Sequence, residues 1–198
     1  MVAASPTNRY CPHDSRIILF KKEQAQVISR RIIDFHVHCF PDKVAERAVT
    51  ALKDTYGVTP HTDGTLKRLL EHMEKVGIDH SVILPVATKA SQVKSINDWA
   101  VAVNGGPIVA FGGLHPGFEE PAAEVERIMA QGLKGMKLQP QWQAFKPDDK
   151  AAFPIYEAAE GKLIIVFHAG NEIAPVEEVL STPRRLARVH DAFPELQM

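Results

Sequence analysis

The sequence predicts an α/β fold, a parallel sheet wound through with helices, and three observations carry that prediction. From Arg31 onward, short apolar runs alternate with segments of helical periodicity. Glycines close most of the helical segments: Gly57, Gly77, Gly105-Gly106, Gly132 and Gly161. Several apolar runs end in side chains able to do chemistry: His36 and His38, Lys137 and Gln139, and His168.

The first strand is expected at 31–37, closed by the Cys39-Phe40-Pro41 break. A helix follows at 42–56, with Val44, Ala48, Ala51 and Leu52 near one face, then a loop over 57–64. The next helix, 65–76, carries Leu66, Leu69, Leu70 and Met73 at helical spacing before Gly77. A second strand at 81–86 leads to a helix at 91–103, and a third strand at 108–114 to a helix at 121–130. That helix opens at Pro121, carries Val125, Ile128 and Met129, and stops before Gly132. A fourth strand at 133–138, a helix at 149–159, a fifth strand at 163–167 and a helix at 175–192, with a break at Pro183, complete the series. Pro194 should turn the chain toward another strand.

Residues 1–30 differ in texture. Ser5, Pro6, Asn8, Pro12, Asp14 and Ser15 are turn formers, 17–20 is a short strand candidate and 22–28 a helical turn or two. They read as a partly disordered N-terminal extension to a single domain spanning 31–198.

The 198 residues suit one domain with a real core. Apolar residues make up 45%, charged residues 24%, and the net charge is −1 with both signs interspersed, which argues against nucleic acid or an anionic membrane as partner. No stretch reaches the roughly 18–20 apolar residues of a membrane span. Met1 to Tyr10 lacks the apolar region of a signal peptide, and Cys11 and Cys39 make a poor disulfide framework, so a reducing cytoplasm is expected.

Strands alternating with helices leave two architectures, an open doubly wound sheet and a (β/α) barrel. No Gly-x-Gly-x-x-Gly follows the first strand, which weakens a dinucleotide-binding sheet. Polar residues at strand C-termini favour the barrel, whose chemistry lies at that end. Parity points the same way. In the first strand, Ile32, Asp34, His36 and His38 share one face, and Ile33, Phe35 and Val37 the other; in the fifth, Ile164, Val166 and His168 share a face. The even set is expected to line the interior, the odd set to lie under the helices.

His36 and His38 stand on one face about 6–7 Å apart along the backbone, a spacing that lets two imidazoles converge on one metal ion. With His168 at the end of another strand they describe a metal site at the mouth of a barrel, to be weighed against buried structural histidines. Asp34 fits the barrel floor or an orienting role better than direct ligation. Lys137 is either a solvated rim residue or a contact for a substrate carboxylate. His115 reads as a loop residue with a smaller chance of touching substrate; His61, His72, His80 and His190 read as surface. Trp142 and Phe145 either wall a pocket or pack ordinarily.

Asp34-Phe-His-Val-His38, Gly135-Met-Lys-Leu-Gln-Pro140 and Phe167-His-Ala-Gly170 together resemble the amidohydrolase superfamily, over roughly 31–198. The nearest branch is the amidohydrolase-related group that includes aminocarboxymuconate-semialdehyde decarboxylase. The resemblance implies a (β/α)8 TIM-type barrel holding a divalent metal, usually zinc. Its ligands are the H-x-H pair after strand one, a histidine after strand five and an aspartate after strand eight, with a further histidine after strand six as acid/base. The first three fall on His36, His38 and His168; the last two have no counterpart before Met198. In binuclear relatives a lysine such as Lys137 is carboxylated to bridge two metals.

About five of eight βα units are therefore expected, an incomplete barrel truncated at its C-terminus. It would be about 60–100 residues short of a ~250-residue barrel, with open edges through which copies of the chain can associate. The implied function is a metal-dependent hydrolase or carboxy-lyase acting on a small carboxylated or aromatic substrate and impaired by the truncation. The two reactions share their ligands and are not separated by sequence. The alternatives are a non-catalytic remnant or self-associating interaction protein, and an open-sheet binding domain with structural histidines.

Overall fold

The computed structural model describes residues 30–198, so the turns, short strand and helical turns expected within 1–29 lie outside the described residues. In chain order the elements are β1 (Ile33–Val37), α1 (Asp42–Tyr56), α2 (Leu66–Val76), β2 (His80–Ile83), α3 (Val93–Val103), β3 (Ile108–Ala110), β4 (Gly112–Gly113), α4 (Pro121–Ala130), β5 (Gly135–Leu138), α5 (Phe153–Ala159), β6 (Ile164–Phe167) and α6 (Pro183–Ala192). Short 3-10 turns at Ala90–Gln92 and Lys150–Ala152 lead into α3 and α5.

Among the described residues every pair of named strands is parallel, in the orders β1-β2-β3 and β4-β5-β6. Only Phe111 separates β3 from β4. Its N–H bonds to the Ile83 carbonyl at 2.9 Å, while Gly112 already pairs with Met136. One stretch of chain thus passes from the first sheet to the second, and the fifth expected strand corresponds to β6. The arc is that of an incomplete barrel; the described residues do not close it.

The helix ends follow local chemistry. Thr65 caps α2 by accepting from the Arg68 N–H, and Gly57 and Gly77 end α1 and α2 in the left-handed conformation. Pro121 opens α4 at the residue expected. The helix expected over 175–192 is shorter: 175–182 is irregular, and α6 starts at Pro183 with Thr182 as its cap. Proline suits the first helical position, where its missing N–H is not needed, so Pro183 begins the helix rather than breaking it. The second strand stops at Ile83 instead of 86 because Pro85 has no N–H for the ladder.

The sheet separates two apolar clusters. Ile83, Ala110, Met136, Leu138, Leu163 and Ile165 pack under the helices with Val93, Val125, Ile128 and Ile155. Val82, Leu84 and Phe111, with Val109, Ile164 and Val166 against them, form the concave face. The alternation expected for β6 is thus present. That expected for β1 is not, and needs correcting: the register runs Ile33 with His80 and Asp34 with Ser81, but Val37 with Ile83. An extra residue is accommodated between Asp34 and Val37, a β-bulge. Partners in register share a face, so Ile33 joins the concave side, and Phe35 meets Phe111 there edge to face at 6.0 Å. Asp34 and Val37 fall on the helix side. Ile33 and Phe35 are 56% and 52% exposed.

Close approach also fixes one glycine. A Cβ at Gly135 would lie 2.6 Å from the Ile164 carbonyl oxygen and against the Phe111 ring. At the far end, the turn after α6 brings the Gln197 carbonyl to the Ile165 N–H at 2.8 Å, so the last residues run beside β6. No helix among the described residues is long and apolar enough to cross a membrane.

Candidate functional site

Parallel strands place their C-terminal ends together, and β1, β5 and β6 bring His36, His38, Lys137, Gln139 and His168 to one side of the arc. The bulge aims the first pair. Asp34 Oδ1 accepts the His36 N–H at 3.2 Å, holding the extra residue, and beside His38 the Leu84 N–H bonds to the Val37 carbonyl at 2.9 Å. The two Nε2 atoms then stand 3.2 Å apart. Two nitrogens on one tetrahedral cation, each about 2.0–2.1 Å from it, are about 3.3–3.4 Å apart. The pair therefore fits a shared cation almost without movement.

Both rings are held neutral, the form that ligates. Burial lowers the His38 pKa to about 4, helped by the charges of His36 and Lys137. His36 is lowered by burial, then by Lys137 and His168, with Asp34 opposing.

His168 is fixed through its backbone N–H, which bonds to the Leu138 carbonyl at 2.9 Å. It lies close enough to bear on both other rings. Its own Nε2 lies 3.2 Å from Glu172 Oε1 but is not aligned for a hydrogen bond and has no partner. Among the described residues, no three His, Cys, Asp or Glu side chains stand close enough to form a ready cation site as placed. His36 and His38 meet; His168 is near them and outside that pair.

Lys137 is 1% exposed. Its Nζ has no hydrogen-bond partner, and burial lowers its pKa to about 8, with Glu172 opposing. It is therefore not a solvated rim residue. Gln139 donates to Glu172 Oε1 at 3.3 Å while its own Oε1 is unpartnered. Trp142 lies 6.5 Å from the His38 ring and 6.0 Å from the Tyr56 ring, its Nε1 also unpartnered. Buried polar atoms are nearly always bonded, so Lys137 Nζ, Gln139 Oε1, Trp142 Nε1 and His168 Nε2 mark a place built to meet something else.

The other sequence candidates sort differently. Phe145 is buried with the helix-side core, so of the two loop aromatics only Trp142 belongs to the site. His115 Nδ1 accepts the Gly117 N–H at 3.0 Å and shapes a turn. His61, His72 and His190 are exposed, and His80 begins β2 at the opposite strand end. Asp34 supports the bulge rather than the floor of the concave face.

Three residues escaped sequence reasoning. Glu172 is buried in irregular chain after β6, where no periodicity announces it. Tyr56, the last residue of α1, donates to Glu172 Oε2 at 3.4 Å across 116 residues. Gln143 donates to the Ala87 and Leu114 carbonyls at 2.8 and 2.6 Å and accepts the Gln139 N–H at 2.8 Å, tying three strand ends together. The one available signal was a second glutamine four residues after Gln139.

A family profile described as "Amidohydrolase" matches residues 33–198. Among solved structures, the chain is similar to a protein from Staphylococcus aureus assigned to the amidohydrolases, at 20% identity and a TM-score of 0.52, covering 75% of this chain and 49% of that one. It is also similar to a probable 2-pyrone-4,6-dicarboxylic acid hydrolase from Acinetobacter baumannii solved with citric acid bound, at 16% identity and a TM-score of 0.42, covering 84% and 55%. The chain thus spans about half the length of these structures. No curated protein matches.

Proposed function

The chain belongs to the amidohydrolase family, and on that premise we propose that it carries the strand-end ligands of a divalent-metal site, zinc by preference, serving hydrolysis of a small carboxylated substrate. The observation that carries this reading is the 3.2 Å separation of His36 Nε2 and His38 Nε2, both neutral. The unpartnered Nε2 of His168, on the same side of the arc, offers a third nitrogen.

A bound divalent cation would act as a Lewis acid, polarising a substrate oxygen and acidifying water at neutral pH. The chain's own residues do the rest. His36 and His38 present neutral nitrogens, and His168 adds a third ring nitrogen. Lys137, buried and unpartnered, offers an ammonium to a substrate carboxylate, whose charge would restore the partner that burial removes. Trp142 and Tyr56 form an aromatic wall beside His38 suited to a flat, conjugated substrate. Loss of carbon dioxide from such a substrate would use the same residues, as in the aminocarboxymuconate-semialdehyde decarboxylase-like branch, and product identification separates the two reactions.

The test is zinc binding by the purified chain, followed by chelator competition and elemental analysis. One zinc per chain is expected in the wild type, with loss in His36→Ala and His38→Ala. Equal zinc in all three proteins would refute the reading and favour structural histidines.

A further inference from the structure

Resting on that metal-site reading, we propose that Glu172 is the carboxylate ligand of the site, joining His36, His38 and His168 around one cation. Its Oε1 lies 3.2 Å from His168 Nε2, the separation also found between His36 Nε2 and His38 Nε2 and close to that of neighbouring ligand atoms on a zinc ion. The site thus holds two donor pairs at ligand spacing. The Glu172 side chain is 5% exposed, so its carboxyl oxygens sit largely out of water.

Among the described residues, no lysine or arginine lies within ion-pair distance of the carboxylate, and its one close basic neighbour is His168. Lys137 is near enough for its charge to be felt, yet its Nζ makes no bond to the carboxylate. Only two neutral donors reach Glu172, Gln139 Nε2 at 3.3 Å and Tyr56 Oη at 3.4 Å, and both bonds are long. Such outer donors characteristically steady a metal-bound carboxylate while leaving lone pairs for the ion. One cation between them would be shared by the Glu172 carboxylate and the orphaned His168 nitrogen. Asp34, the other carboxylate close to the imidazoles, is committed to the His36 N–H on the helix side of the sheet. Because the two pairs do not yet form one group, binding draws the His168 ring and the Glu172 carboxylate toward His36 and His38.

The experiment uses zinc alone, measured by competition with a chromophoric chelator, and the visible spectrum of the cobalt-loaded protein, on the wild type, Glu172→Gln, Tyr56→Phe and His36→Ala. Glu172→Gln keeps the size and an acceptor for Tyr56, and circular dichroism checks its fold. Loss of an outer partner weakens metal about 10–100-fold. Glu172→Gln should exceed about 100-fold and alter the cobalt spectrum, whereas Tyr56→Phe should stay within about 100-fold and keep it. Zinc affinity within about threefold of wild type in Glu172→Gln, or a weaker site with an unchanged cobalt spectrum, overturns the assignment of Glu172 alone if His36→Ala still abolishes binding. Wild-type affinity in His36→Ala, or no zinc in the wild type, overturns the metal-site reading and this assignment with it.

Discussion

Replacing Lys137 by methionine should stabilise the protein. Lys137 is 1% exposed, its Nζ has no partner, and burial brings its pKa from 10.5 down to about 8. That difference corresponds to about 3 kcal/mol at roughly 1.4 kcal/mol per pH unit. Methionine keeps an unbranched stem of similar length and removes the charge. The attraction of Glu172 for the ammonium is lost as well, so about 3 kcal/mol is an upper figure. For a chain of this size each kcal/mol shifts Tm by about 2–4 °C, giving a rise of up to about 6–12 °C at pH 7. The pH dependence identifies the cause. Because the folded-state pKa lies below the unfolded one, the unfolded chain holds the extra proton between about pH 8 and 10.5, and wild-type stability rises with pH across that window. The gap between Lys137→Met and wild type should be full below pH 8 and closed above pH 10.5. Calorimetry and urea unfolding at pH 7, 9 and 10.5 measure it. A destabilised Lys137→Met, or a gap that does not change with pH, would refute the claim that a buried, unsatisfied ammonium is maintained here for a ligand. Stability sacrificed at one buried charge is the usual signature of a functional group.

Gln143→Ala should cost about 3–5 kcal/mol, because it strips partners from the Ala87 and Leu114 carbonyls and the Gln139 N–H at once; urea denaturation reads this, and a loss below about 1 kcal/mol would mean that water replaces the bonds. Acid should weaken the metal-free protein through the histidine pair. Both rings have folded-state pKa values below 6.5, so their contribution is complete above that pH and fades as pH falls toward about 4. Wild type should therefore lose stability relative to His38→Asn over that interval. His38 retains solvent contact, so the direction is the prediction, and parallel curves for the two proteins would contradict it.

Much of the scaffold was legible because its signals are local. Pro121 and the glycine at 132 bracket α4, and Thr65 and Gly77 bracket α2, since each supplies a backbone conformation or a hydrogen bond that a helix end requires. The alternation of Ile164, Val166 and His168 described β6 correctly because that strand is regular. In β1 the same rule misplaced Ile33, Phe35 and Asp34: one extra residue inverts the faces on one side of the bulge, and periodicity carries no trace of it. Pro183 reads as a break in the sequence but begins α6, because Thr182 caps the helix there and proline suits its first position.

The sequence by itself determined that parallel strands alternate with helices and that histidines cluster at strand ends, since hydrophobic period, turn residues and motif spacing act over a few positions along the chain. Tertiary structure alone decided that Lys137 is buried without a partner and that Glu172 faces His168. It also joined Tyr56 to Glu172 across 116 residues. Burial and charge pairing depend on which distant segments exclude water from a group, and that is set only once the arc has folded.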